Sequence, residues 1–283
     1  FEKLDLDPQL IEALSLRLKS TNISWIHLPF VHGRFQGLFR ILRGSLLVRQ
    51  IAKKDPFELA HMRAIVPAVI YRLSLINRPF IYDIRAFTGQ WVDGGRLRST
   101  SIAFRLLASF EHSLICKAAG LVVLDQSGAE YLLDSYNNLP LAKVIPTSTD
   151  LDDCIACHVD VGLKSSSEIR FVFLGGARFP YLPLSALRFV QILISYGFDC
   201  SIDFINERDH ALIEMACKSL DFPQDRFRLF SLPPEMVRSQ LYSYDCGLVF
   251  IADGPWIRMS SPTKIGEYLA AGLHVIGLSG IAI

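Results

Sequence analysis

Short apolar runs rich in Val, Ile and Phe recur along the chain, and most do not alternate with polar residues. Candidate strands are SWIHLPF (24–30), FELAH (57–61), FIYDIRA (80–86), LVVLD (121–125) and KVIPT (143–147). After a polar stretch come RFVFLGG (170–176), SIDFIN (201–206), FRLFS (227–231), GLVFIA (247–252) and HVIGL (274–278). Unbroken apolar strands suit sheets covered on both faces. Helix-length segments separate them at 7–20, 35–54, 62–76, 99–118, 127–136, 182–197, 208–220, 233–243 and 262–272. This alternation predicts an α/β chain with parallel sheets and right-handed crossovers. The polar segment divides two such series. The predicted organisation is therefore an N-terminal domain over 1–150, a linker over 151–168 and a C-terminal domain over 169–283. Two Rossmann-like halves facing a cleft follow from it. Ligands in such sheets bind at the carboxyl ends of strands. The loops after FIYDIRA, LVVLD, VFLGG and VFIA are where chemistry is expected.

The length of 283 residues agrees with about two domains of ~150 residues. Hydrophobic residues make up 51% and charged residues 20%, a globular composition. The net charge of +1 gives no reason to expect nucleic acid as a partner. No apolar run approaches the ~18 residues of a membrane span. The chain begins at Phe1 and ends at LHVIGLSGIAI, just after a strand pattern, so a fragment lacking both ends is expected. Most of the six cysteines lie in apolar element patterns, which reads as reduced, buried thiols in a cytoplasmic protein.

The segment SSPTKIGEYLAAGLHVIG (260–277) carries the most chemistry. Ser261 is the expected N-cap of its helix, with Pro262 at the first helical position. The N–H groups of Thr263 and Lys264 then face outward. With the helix dipole and the Lys264 ammonium they form an anion site suited to a phosphate or diphosphate. Glu267 lies a little over one turn beyond Pro262 on nearly the same side. Its carboxylate could accept hydrogen bonds from the vicinal hydroxyls of a ribose. The spacing alone favours a capped amphipathic helix with a solvated glutamate.

SPTKIGEYLAAGLHVIG resembles the donor-site segment of GT-B-fold, family-four glycosyltransferases, nearest the branch that assembles bacterial surface or capsular polysaccharide. Supporting pieces follow in the same order: HMRAIVPAVI, RPFIYDIRAFTGQWVDGG, AAGLVVLDQSGAEYL, KVIPTSTDL, FVFLGGARFPYLP and PPEMVRSQLYSYDCGLVFI. The resemblance runs from about TNISWIHLPF onward. It implies retaining, metal-independent transfer of a sugar from a nucleotide sugar to a glycan or lipid-linked acceptor, with no cofactor. By it, Glu267 binds ribose. Thr263, Lys264 and Ser261 bind diphosphate, with Gly175, Gly176 and Arg178 after the first strand of the second domain. The family's first donor-site glutamate falls at Met259 and is absent here. The family's lysine a few residues beyond Arg178 is replaced by Tyr181, Leu182 and Pro183. Arg85 is the counterpart of a histidine beside the donor sugar. Asp83, Arg85 and His61 are the catalytic candidates, and Asp93 the acceptor-binding one. Asp83 and Arg85 also fit a buried ion pair that fixes a loop. A nucleotide-sugar epimerase of the same fold and a non-catalytic nucleotide-sugar-binding protein are the alternatives.

Two further signals compete. CIACH supplies Cys154, Cys157 and His158 in the spacing of c-type haem attachment, but it falls in the linker. No second ligand pair follows to make a zinc site. The segment 34–54 spaces Leu38, Ile41, Leu42 and Leu46 helically, among Arg40, Arg43, Arg49, Lys53 and Lys54. It reads as a helix packed on the sheet with a solvated basic face, or as a contact for an anionic inner-membrane surface.

Overall fold

A computed structural model describes residues 36–149 and 167–277, with scattered positions between 12 and 26. Most of the strand read at 24–30, most of the helix at 7–20, the CIACH motif and nearly all of the linker lie outside the described residues.

The first series runs α1 (Gln36–Lys54), β1 (Ala60–Arg63), α2 (Ile65–Leu73), β2 (Phe80–Asp83), α3 (Gln90–Asp93), α4 (Ile102–Lys117), β3 (Gly120–Val123), α5 (Gln126–Ser135) and β4 (Ala142–Val144). The four strands lie in the order β1-β2-β3-β4, every pairing parallel. The second series runs β5 (Ile169–Leu174), α6 (Pro183–Ser195), β6 (Cys200–Ile205), α7 (His210–Ser219), β7 (Phe227–Phe230), α8 (Pro234–Leu241), β8 (Cys246–Val249), α9 (Thr263–Ala270) and β9 (His274–Gly277). Its strand order is β7-β6-β5-β8-β9, again all parallel. This order reverses direction between β5 and β8. The crevice at their carboxyl ends is the topological switch point where ligands bind in such sheets.

Successive residues of β5 alternate between two cores. Phe171 and Phe173 join Leu187, Val190, Ile202 and Phe204 on one face. Val172 and Leu174 join Val249, Ile257, Tyr268 and Leu273 on the other. Burial on both faces explains why these strands read as continuous apolar runs. The first sheet is filled by Met62, Tyr82, Leu114, Ile115, Leu121, Val123 and Leu132.

Several boundaries differ from the sequence reading. The strand read at 57–61 begins at Ala60 and extends to Arg63. Phe57 instead packs its ring against Tyr71, with centroids 6.4 Å apart. The following helix consequently starts at Ile65, not 62. FIYDIRA stops at Asp83, where Ile84 donates to Val122 O and Arg85 folds back on Asp83. GLVFIA stops at Val249, although Phe250 and Ile251 remain buried. Cys200 and Cys217 are buried as expected, whereas Cys116 lies exposed on α4.

Candidate functional site

Helix α9 starts at Thr263, and Pro262 occupies the N-cap position with no side-chain cap. The expected Ser261 cap does not form. Thr147, beyond β4, donates its hydroxyl to Ser261 O at 2.9 Å and lies 2.8 Å from Ser261 Oγ. Ser261 thus holds the helix start to the first domain. The first helical position belongs to Thr263. Among the described residues, nothing accepts from the backbone N–H of Thr263 or Lys264. Two donors and the positive end of the dipole stay open at this helix start.

Tyr268 fixes the helix against the sheet. It is fully buried, and its hydroxyl accepts from Leu174 N–H at 2.8 Å. The ring lies flat on Gly247 of β8, where a Cβ would come within 2.2 Å of it. Gly266 on the same helix faces Thr149, whose Cγ2 a Cβ would approach at 3.4 Å.

Lys264 is 4% exposed, and its Nζ has no hydrogen-bond partner among the described residues. It stands 3.9 Å from the Tyr181 ring centroid and 4.5 Å from that of Phe173. Its tip faces Gly175, where a Cβ would sit 3.9 Å from Nζ. Burial pulls the amine down to about 7, and Glu267 offsets part of this. Glu267 is half-buried on the same helix. Burial raises its carboxyl, while Lys264 and then Arg238 pull it back.

The loop after β5 completes this group. Gly175 has φ +89°, which only glycine adopts without strain. Its carbonyl accepts from Asn206 Nδ2 at 2.7 Å, and its N–H bonds Ile205 O. Asp209 accepts from Ala177 N–H at 3.1 Å and from Arg178 Nε at 2.7 Å. Its carboxyl is held below the usual range mainly by Arg178. Arg178 therefore enters the site tethered to Asp209, with its side chain 73% exposed.

The other candidates gather on the first sheet. Asp83, 1% exposed, accepts from Arg85 Nε at 3.1 Å and Nη2 at 3.0 Å, and His61 Nε2 lies 3.4 Å from it. The ion pair forms as the loop-fixing reading requires. His61 is 58% exposed and Arg85 24%, so both present polar groups outward. Beyond Arg85 the loop is pinned by Glu111, a buried carboxylate that accepts from Thr88 N–H and Thr88 Oγ1. Burial raises the Glu111 carboxyl.

Asp93 has a role that its spacing did not disclose. It accepts from Trp256 N–H at 3.1 Å, while Gln90 Nε2 donates to Trp256 O at 2.9 Å. The Trp256 ring packs against Phe87 and Tyr131 of the first domain, with centroids 6.0 and 4.9 Å away, and those two rings also meet each other edge-on at 5.0 Å. Gly89 makes room, since a Cβ there would meet the indole at 2.1 Å. Met259 packs on the same first-domain core, whereas Ile257 between them is buried in the second. The segment from 253 to 261 is thus a strap across both domains, leading directly into α9. Trp256, Asp209, Tyr181 and Phe173 were not anticipated. Only the Asp-Gly-Pro-Trp sequence after β8 offers a hint, an aromatic in a turn at a strand's carboxyl end.

Among the described residues, no group of three or more His, Cys, Asp or Glu could hold a metal ion. No described helix is long and apolar enough to cross a membrane. A separate apolar pocket of about 390 Å³ between α1, α2 and β1 is lined by Leu47, Val48, Ile51, Met62, Ile70 and Tyr71.

No protein-family model and no curated protein matches the chain. Solved structures do. Sucrose-phosphate synthase from Thermosynechococcus elongatus superposes with a TM-score of 0.61 at 14% identity, over 90% of this chain and 64% of that one. A trehalose-6-phosphate synthase, studied for glycosyl transfer with retention, gives 0.62 at 12% identity, over 96% and 68%. A Listeria monocytogenes protein assigned as a UDP-N-acetylglucosamine 2-epimerase gives 0.56 at 11%, over 93% and 68%. The chain therefore spans about two thirds of the length of these structures. The described residues form two parallel sheets of four and five strands, and the chain has the GT-B fold.

Proposed function

We propose that the chain is the body of a retaining glycosyltransferase that takes its sugar from a nucleotide-diphosphate sugar. The observation that carries this reading is the buried Lys264 ammonium, without a hydrogen-bond partner among the described residues, beside an open helix N-terminus at the switch point of the second sheet. A diphosphate there would receive the N–H groups of Thr263 and Lys264, the Lys264 side chain and a free edge of Arg178. Gly175 and Gly176 would let it approach the backbone. Glu267, one turn on, would accept from the ribose hydroxyls. Helix dipole and ammonium would stabilise the departing diphosphate without a metal or other cofactor. The sugar would face Asp83, Arg85 and His61 on the first domain, whose polar groups are available to donor sugar or acceptor.

The acceptor in this reading is a glycan or lipid-linked sugar of a surface polysaccharide, reached at the cytoplasmic face of the inner membrane. Helix α1 supports a peripheral membrane contact. Leu38, Phe39, Leu42 and Leu46 are 49–62% exposed along it, among exposed Arg43, Arg49, Lys53 and Lys54. Co-sedimentation with vesicles that is independent of anionic lipid content would remove the membrane part of the proposal.

Glu267→Ala tests the donor site. A charged hydrogen bond lost should weaken nucleotide binding by about 1.5–3 kcal/mol. Unchanged affinity in a folded variant refutes the assignment. The epimerase reading is favoured by the Listeria likeness. Product analysis separates the two, because a transferase passes the sugar to an added acceptor and an epimerase interconverts the free nucleotide sugar.

A further inference from the structure

Lys264 sits in an unusual place for a cation. Its Nζ is enclosed by the faces of Tyr181 and Phe173, and nothing among the described residues accepts a hydrogen bond from it. Ring faces attract a cation by a modest amount. They do not replace the three acceptors an ammonium has in water, and an unpaired buried charge shifts toward its neutral form. The ionisable neighbours do not restore the balance. Glu267, on the same helix, is half-buried with its carboxyl raised, and Arg238 of α8 draws on it too. Tyr181, in the loop after β5, and Tyr268, behind the helix, are both pushed upward by burial and stay neutral. No strong acid therefore faces the amine, and near neutral pH its neutral form is well populated.

An arriving diphosphate changes this. It places negative charge and acceptor oxygens at the helix start, within the reach of a side chain whose tip lies against Gly175. The ammonium is then the favoured form. We propose that Lys264 takes up a proton as a nucleoside diphosphate binds and returns it on release, so that occupancy of the site is proton-linked. The inference rests on the donor-site reading above and adds its regulation. No bond other than N–H is made or broken, and the proton comes from solvent. Below about pH 7 affinity becomes independent of this group. Above it, affinity falls by about tenfold per pH unit, because binding must first draw a proton from increasingly basic solvent.

The test is calorimetric titration with UDP, ADP and GDP at pH 8, where the terminal phosphate is already ionised, in two buffers of different ionisation enthalpy. A nucleotide that binds should take up most of a proton per site. Lys264→Arg, permanently charged, should bind with no uptake and without the decline above pH 7. Binding by the unaltered chain with no proton uptake overturns this inference and leaves the donor site standing. Uptake that persists in Lys264→Arg overturns it as well. Failure of all three nucleotides to bind overturns the donor-site reading and this inference together.

Discussion

Lys264 is a residue placed against the interest of the empty fold. In the unfolded chain it is fully hydrated and titrates near 10.5, while in the folded chain burial brings it to about 7. Between these limits the unfolded state holds the extra proton, so stability rises with pH across that window. At pH 6 both states are charged and the folded one bears the whole desolvation cost. Lys264→Met keeps the volume and removes the charge. It should stabilise the nucleotide-free protein by a few kcal/mol at pH 6 and by much less at pH 10. Thermal unfolding of both proteins at the two pH values checks this. Equal shifts, or a destabilised variant at pH 6, would mean that the amine is solvated. Asp209 titrates the opposite way. Arg178 lowers its carboxyl, and because both groups meet solvent the stabilising effect is small and is lost only as the pH falls through the acid range.

At the scale of elements, α9 is positioned by a tyrosine that needs a glycine. The Tyr268 ring occupies the space of a Cβ at Gly247 and carries its hydroxyl to Leu174 N–H, the last residue before the Gly175 loop. Both halves of the proposed diphosphate site are therefore referenced to one side chain. Gly247→Ala must displace either the ring or β8, and should cost about 1–3 kcal/mol, as overpacking does. It should weaken nucleotide binding as well, though residue 247 touches no ligand atom. Tyr268→Phe keeps the ring and should relax the loop with little loss of packing. Unfolding curves with nucleotide titrations on both variants separate position from stability.

The element scale is also where the sequence spoke most clearly. Buried parallel strands leave an apolar imprint, and every strand in the described residues was read within a few positions. Their ends were less legible. Val249 closes β8 while the burial continues to Ile251, so hydrophobicity outruns the hydrogen-bond ladder. The Pro-Thr-Lys start and Glu267 marked the candidate site through local chemistry. Phe173, Tyr181, Asp209 and Trp256 did not, since each acts through a partner distant in sequence. Ser261 shows the converse: it had the right side chain for a cap, but Thr147 from the first domain engages it instead.

For the molecule as a whole, the decisive feature is the strap. Trp256 packs against Phe87 and Tyr131 of the first domain, while Ile257 remains in the second core. Backbone hydrogen bonds to Asp93 and Gln90 hold it on both sides. Met259 stands where the resemblance places an acid, and it packs on the first-domain core. The position that the resemblance assigns to a sugar contact is apolar here and serves the interface between domains. Because the strap continues into Thr263, any relative movement of the two sheets pulls on the start of α9. Trp256→Ala removes a large aromatic anchor and should lower stability by about 3 kcal/mol or more. It should also uncouple the domains. On the proposed function, the Glu267 end of the site would still bind nucleotide within a few fold, whereas turnover, for which donor sugar and Arg85 would have to be in register, would fall by about a hundredfold. Gly89→Ala acts at the same contact from the other side and should reproduce the effect, since its Cβ would occupy the indole's place. Nucleotide titration and transfer assays on both variants decide the matter. Parallel losses of binding and turnover would mean that the strap only stabilises the fold. A loss of turnover with binding retained would mean that it sets the geometry between the two halves.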